Sequence, residues 1–570
     1  MQLRRLKLKN FRNLRDVEID FASTLQDSSN SGAPRAVNSH ALIGQNGSGK
    51  SNLIEALVTI FRDLDLDNAC TLDYELEYLI RGCDVVLEGR VGKRVLAVVD
   101  EKPLSATAFA NRAKELLPAH VFAYYSGKNE RIESLFRKHE QRFSKRMDMA
   151  DQEVVPAHLI DGFKGEEEQA EEIQRIKDRR EHLLRAAGED ILRRLFYCRG
   201  GHTQLVLLAC FLAPDDIFEQ ILRDLNIVGL ESALFVLKRP YDLRKLDEID
   251  IQDGDNRFWY ARGTVVSEFL DKLWDLAIAP ITETVQKQID FRGRREKQER
   301  LYLYLKDQEA LRSLGDVVGT PSHFFRYAEG AYLADLIEEV RICVQHKDSE
   351  GRLEFRHLSE GELQLLTVLG LMRITHQDEC LFLLDEPDTH LNPLWKLRYF
   401  ETLEKVIRPA APGGGTSQIL ITTHDPMMVG SLRREQVHIL RKTESGTTVT
   451  LPDQDPVGMG VSGLLKSDLF GLRSTVDAET MRRIDHRYAL YAKGAARSLA
   501  EDAELSRLSK ELGDLGFAQD FRDPYFALFV QKMAQHTKFH KEILTPEEQH
   551  EQDKIADDII SAILAEEDAA

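Results

Sequence analysis

Eight residues constrain this chain more than any others: Gly44-Gln45-Asn46-Gly47-Ser48-Gly49-Lys50-Ser51, a G-x-x-x-x-G-K-S run. Ala41-Leu42-Ile43 before it read as a short apolar strand. After it, Leu53, Ile54, Leu57 and Ile60 recur at helical spacing between Ser51 and Phe61. Strand, glycine-rich turn and helix in that order make a phosphate cradle. The glycines let backbone N–H groups curl around phosphate oxygens, and the helix turns its positive end toward them. Lys50 then neutralises the β- and γ-phosphates of ATP and Ser51 offers a hydroxyl to Mg²⁺. Gly44, Asn46, Gly47, Ser48, Gly49 and Asn52 complete the ATP-binding stretch.

Three further motifs follow in chain order. Leu358-Ser359-Glu360-Gly361-Glu362 opens an apolar helix through a Ser359/Glu362 capping box. Capping leaves Gly361 unexplained, because glycine in a first helical turn costs about 1 kcal/mol relative to alanine. Close approach of a phosphate to the helix N-terminus would account for it. Cys380-Leu381-Phe382-Leu383-Leu384-Asp385-Glu386-Pro387 reads as a strand buried on both faces of a parallel sheet, with two carboxylates at its carboxyl end, where such sheets bind ligands. Successive side chains point opposite ways, so Asp385 suits the Mg²⁺ shell and Glu386 suits polarising the attacking water. Ile419-Leu420-Ile421-Thr422-Thr423-His424 is a second buried strand, and its terminal histidine reads as a contact for the γ-phosphate and the water.

Taken together, the phosphate loop, LSEGE, LLDEP and the histidine resemble the ATP-binding-cassette head of the SMC-like and repair ATPases. The opening LKLKNFRNLRDVEIDF resembles theirs too, and would place Arg12 near the nucleotide. Asp388, in DEPDTHLNP, matches the family's loop at the subunit interface. The resemblance implies two heads sandwiching two ATP molecules, with Ser359, Gly361 and Glu362 acting in trans and Glu386 and His424 catalytic in cis. One departure stands out: the glutamine usual after the strand Val121 to Tyr125 is replaced by Ser126-Gly127-Lys128-Asn129. YYSGKNERIESLF, HTQLVLLACFL, SDLFGL and FRDPYF further resemble the ATPase subunits of Septu-type and retron-linked anti-phage systems, which implies a separate HNH-type nuclease as partner. Residues 451–570 lack the acidic strand ends that a Toprim nuclease would need.

The expected architecture is an α/β P-loop NTPase of ABC type. Its head is built from residues 1–130 and 341–450, since the residues between Lys50 and Asp385 are too many for a compact nucleotide domain. A mainly helical insertion spans 131–340, with 260–315 read as helices of mixed charge, and a helical partner-docking domain spans 451–570. Within the insertion Arg292, Arg294, Arg295, Lys297 and Arg300 cluster, either as a track for DNA or as a solvated helix whose Glu296 and Glu299 pair internally. The net charge of −19 restricts any DNA contact to such a local patch. Six cysteines at 70, 83, 198, 210, 343 and 380 have neither disulfide-framework nor zinc spacing and read as reduced thiols of a cytoplasmic protein. His536 and His540 read as a polar helix face rather than a metal pair. No apolar run is long enough for a membrane span. Two other classes fit less well: a DNA-binding repair ATPase without a nuclease, and a transporter's nucleotide-binding subunit.

Overall fold

Three large sheets organise the chain in the computed structural model, which describes all residues except 23, 26–34, 128–129, 140–193, 199, 215, 241–254, 261–263, 289–292, 294, 348–352, 376–378, 408–416, 444–445, 518–528, 530–531, 534–535, 537, 539–545 and 569–570. The first is antiparallel, in the order Leu14–Asp20, Gln2–Phe11, Tyr74–Ile80, Cys83–Gly89, Leu96–Val99, Lys102–Leu104. Leu6, Leu8, Val17 and Ile19 face its core at period two. Leu3 is buried as well, three positions before Leu6, and a register shift between Leu3 and Arg5 absorbs the odd spacing.

The second sheet carries the phosphate loop. Its parallel strands run Leu195–Tyr197, Val121–Tyr125, Leu381–Asp385, Gln418–Thr422, Ser39–Ile43. The last three are buried at every position, as expected for a sheet covered on both faces. Parallel order brings the carboxyl ends of Ser39–Ile43, Leu381–Asp385 and Gln418–Thr422 to one edge, and that edge holds the motifs.

The third sheet corrects the reading of the insertion. It is antiparallel, in the order Ile281–Gln288, Arg295–Leu305, Ile227–Lys238, Ile337–His346, Leu353–Glu354. Residues 260–315 are therefore not continuously helical. Thr264–Leu276 and Gln308–Val318 are helices, and a β-hairpin lies between them. The signal was Leu301, Leu303 and Leu305, buried at period two with Tyr302 and Tyr304 between them, masked by the charge-rich REKQER before it. The head also resumes earlier than residue 341. Leu195–Tyr197 is an edge strand of the parallel sheet, and the apolar Gly200–Leu212 helix packs on the Glu360–Ile374 helix. There Gly370 leaves no room for a side chain: an added Cβ would stand 2.3 Å from Val206 Cγ1.

Contact density separates two units, one of Met1–Leu42, Gly47–Thr423 and Lys442–Val449, the other of Ile43–Asn46, His424–Arg441 and Thr450–Ala570. The second contains the helices Gly460–Lys466, Ala478–Ala492, Leu499–Asp514 and Pro546–Asp568. Ile484, Leu490, Leu508 and Leu512 are buried, Asp477 caps the second of these helices, and a Ser498/Glu501 capping box opens the third. FRDPYF, His540, and the helix read over 165–195 apart from its last two residues lie outside the described residues, so the His536–His540 pair has no structural account. The six cysteines, all among the described residues, form no disulfide. Among the described residues no helix is long and apolar enough to cross a membrane.

Candidate active site

The phosphate loop leaves the Ser39–Ile43 strand through Gly44, Gly47 and Gly49, all at positive φ, and enters the helix Lys50–Asp65. Gly49 is required twice over. Its φ of 108° suits only glycine, and an added Cβ would lie 2.4 Å from Leu14 Cδ2. No side chain caps this helix, so its first N–H groups stay available to an anion.

Asn13 holds the loop from outside. Its Nδ2 donates to the Gly47 carbonyl at 2.8 Å, and its Oδ1 accepts from Asn52 Nδ2 at 2.6 Å. The sequence reading passed over Asn13, although FRN directly precedes the second strand of the opening motif. Arg12 is anchored on the helix that follows the loop. Its guanidinium binds Glu55 on the phosphate-loop helix, and Arg131 binds the same carboxylate at 3.0 Å. Burial pushes the Glu55 carboxyl up, and the two arginines oppose that shift.

Lys50 is buried, and desolvation lowers its pKa against the opposing pull of Glu386 and Asp385. Ser51 Oγ donates to Asp385 Oδ1 at 3.1 Å, and the Thr422 hydroxyl donates to the same oxygen. Asp385 is fully buried, and that burial raises its pKa despite both hydrogen bonds. Its other oxygen, Oδ2, is buried and has no partner. Such an oxygen is costly unless a further group satisfies it. A carboxylate held by one oxygen, with the second open beside a serine hydroxyl, fits the hard oxygen shell of Mg²⁺. Ser51 and Asp385 would hold the ion.

Glu386 follows in a left-handed conformation, φ 51°, which is unfavourable for a residue with a side chain. Its amide donates to the Thr422 carbonyl and to Thr422 Oγ1, each at 3.1 Å. One threonine thus fixes both carboxylates: its hydroxyl grips Asp385, and its backbone turns the chain so that Glu386 emerges half-exposed while Asp385 stays buried. Local backbone strain of this kind costs about 1–3 kcal/mol and concentrates at functional positions. His424 is exposed, directly after Thr423 at the end of its strand. Ser126 fills the position where a glutamine was expected. Its amide donates to the Asp385 carbonyl at 3.3 Å, and its Oγ is buried without a partner.

Ser359 caps the Glu360–Ile374 helix, with Glu362 reaching back to its amide at 2.7 Å. Ser359 and Glu360 are exposed. Gly361 has a reason within the chain: an added Cβ would meet the His390 carbonyl oxygen at 2.2 Å, so close backbone packing already demands glycine there. The Gln364 side chain also donates to the Pro387 carbonyl. Asp388 is buried and accepts from Thr423 Oγ1 at 3.0 Å, so the residues its loop presents outward are Thr389 and His390.

Residues 1–196 match the AAA ATPase domain family, and residues 239–429 match the family described as AAA domain, putative AbiEii toxin, type IV TA system. The Septu protein PtuA of Bacillus mycoides (strain KBAB4) is 28% identical over 137 residues, which are 24% of this chain and 18% of the relative's length. Among solved structures, the Smc head domain of Pyrococcus furiosus aligns at 12% identity over 79% of this chain and 96% of that one, with a TM-score of 0.30. The recombination mediator RecF aligns at 13% identity over 79% and 97%, with a TM-score of 0.27.

Proposed function

We propose that this chain, an SMC-like AAA-type ATPase that resembles Septu defence ATPases, is the ATP-hydrolysing subunit of an anti-phage complex in which ATP-dependent pairing of two heads gates or positions a separate HNH-type nuclease. The observation that carries the ATPase reading is the Ser51–Asp385 pair, with its open Oδ2, on the same sheet edge as Lys50 and the strained, outward-turned Glu386.

Lys50 and the loop amides bind the phosphates and Asn13 keeps the loop in shape. The ion that Ser51 and Asp385 would hold supplies charge neutralisation at the phosphate oxygens. Glu386 orients a water and takes its proton as the water oxygen bonds to the γ-phosphorus. The bond to the bridging oxygen breaks and ADP leaves. Ser359, exposed at the N-terminus of its helix, suits the capping of a nucleotide held by a second copy. The nuclease partner rests on the Septu resemblance and on the similarity to PtuA.

Glu386→Gln removes the proton acceptor and keeps the shape. Turnover, read as phosphate release, should fall at least about 100-fold while ATP binding persists and dimer accumulates in light scattering. Unchanged turnover would remove Glu386 from this role. Failure of an HNH protein co-expressed from the same locus to co-purify would leave an ATPase without that partner, in line with a repair or recombination enzyme.

A further inference from the structure

The basic run of the insertion takes no part in the site above, and the structure changes what it is. Arg295–Leu305 pairs with Ile227–Lys238 only from Leu305 to Arg300. Closer to the turn, residues 295–299 pair with Thr284–Gln288 alone, apart from the Arg239 amide on the Glu299 carbonyl. Among the described residues the hairpin therefore ends as a ribbon two strands wide.

Register sorts its charges. Gln288 lies opposite Arg295 and Gln286 opposite Lys297, and these four exposed side chains share one face. Glu296 lies on the other face, opposite Lys287. The neighbouring acids are engaged elsewhere. Glu299 accepts from Trp259 Nε1 at 2.8 Å, and Glu338 binds Lys287 and Arg300 at 2.7 and 2.6 Å. Arg295 and Lys297 make no ion pair among the described residues. Arg292 and Arg294, the two arginines of the run just before Arg295 in sequence, lie outside the described residues.

We propose that this ribbon end contacts the phosphate backbone of duplex DNA. A cationic, amide-bearing face on an acidic chain selects a polyanion. The three outermost pairs carry no apolar side chain that could anchor a protein partner. A two-stranded ribbon enters the major groove of B-form DNA, about 12 Å wide, whereas the deep, narrow groove of A-form RNA excludes it.

The test uses the full chain and a labelled random-sequence duplex of about 30 base pairs, with affinity read by fluorescence anisotropy across salt concentration. The double substitution Arg295→Glu and Lys297→Glu should weaken binding at least about tenfold and make the slope of log K against log salt shallower by about two. The same charge change at Lys93 and Lys102, exposed in a turn and on the edge strand of another sheet, should leave both quantities unaltered, and DNA-free ATP hydrolysis should match wild type in both variants. Equal losses in the two variants would overturn the proposal, as would an unchanged slope or equal affinity of the wild type for duplex RNA. A shift in oligomeric state with DNA binding intact would overturn it too, and would identify the ribbon's partner as an acidic surface of a second copy.

Discussion

Asp385 and Gly361 show how much a single position settles. Asp385 is held by two hydroxyls on one oxygen and by nothing on the other, and burial raises its pKa. A raised native pKa means that the stability this carboxyl contributes is complete below its unfolded value, near about 4, and is lost as pH climbs through the native one. Burial therefore works against the charged form of this carboxyl in the ligand-free protein, and the two hydroxyls and Lys50 offset that only in part. Asp385→Asn should melt higher than wild type at neutral pH without ligand, with the difference closing as the pH falls toward about 4. Mg²⁺ and ATP should then stabilise wild type but not the variant in the same thermal scan. A variant that melts lower at neutral pH would show that the carboxylate is already balanced. Gly361→Ala forces a methyl group against the His390 carbonyl and should cost about 1–3 kcal/mol in urea unfolding. An unaltered midpoint would mean that the loop yields freely.

At the scale of elements, the phosphate loop is braced by the first strand pair as well as by its own helix. Asn13, in the turn between Gln2–Phe11 and Leu14–Asp20, holds the loop at Gly47 and the helix at Asn52. Asn13→Ala should remove about 1 kcal/mol of stability and weaken ATP binding several-fold, since two partners lose their bonds together. Equal nucleotide affinity in a titration would assign the loop's shape to its glycines alone. The loop, its flanking strand and helix, and the buried strand ending in Asp385 were legible because glycine pattern and hydrophobic period agree there. The hairpin at 281–305 was not, because a strand exposed on both faces near its tip has no apolar alternation to show, and its charges mimic a solvated helix. Gly361 was legible as an anomaly but not as a cause: the atom it must avoid, the His390 oxygen, is distant in sequence and becomes a neighbour only once the sheet has formed. Thr422 and Ser126 were hidden for the same reason, since nothing in either residue type announces that it stands beside Asp385.

At the scale of the molecule, Asp385, Glu386 and Ser359 lie within one unit of the chain. The Glu360–Ile374 helix touches the segment after Glu386 twice, through Gly361 against His390 and through Gln364 on the Pro387 carbonyl. The packed Gly200–Leu212 helix backs it, with Thr203 and Thr367 hydroxyls 2.7 Å apart. These contacts tie the segment after Glu386 to the helix that Ser359 caps. If two copies pair as proposed, a shift of Glu386 on loss of the γ-phosphate would be relayed through Pro387 and His390 toward Ser359, and so to the neighbouring copy.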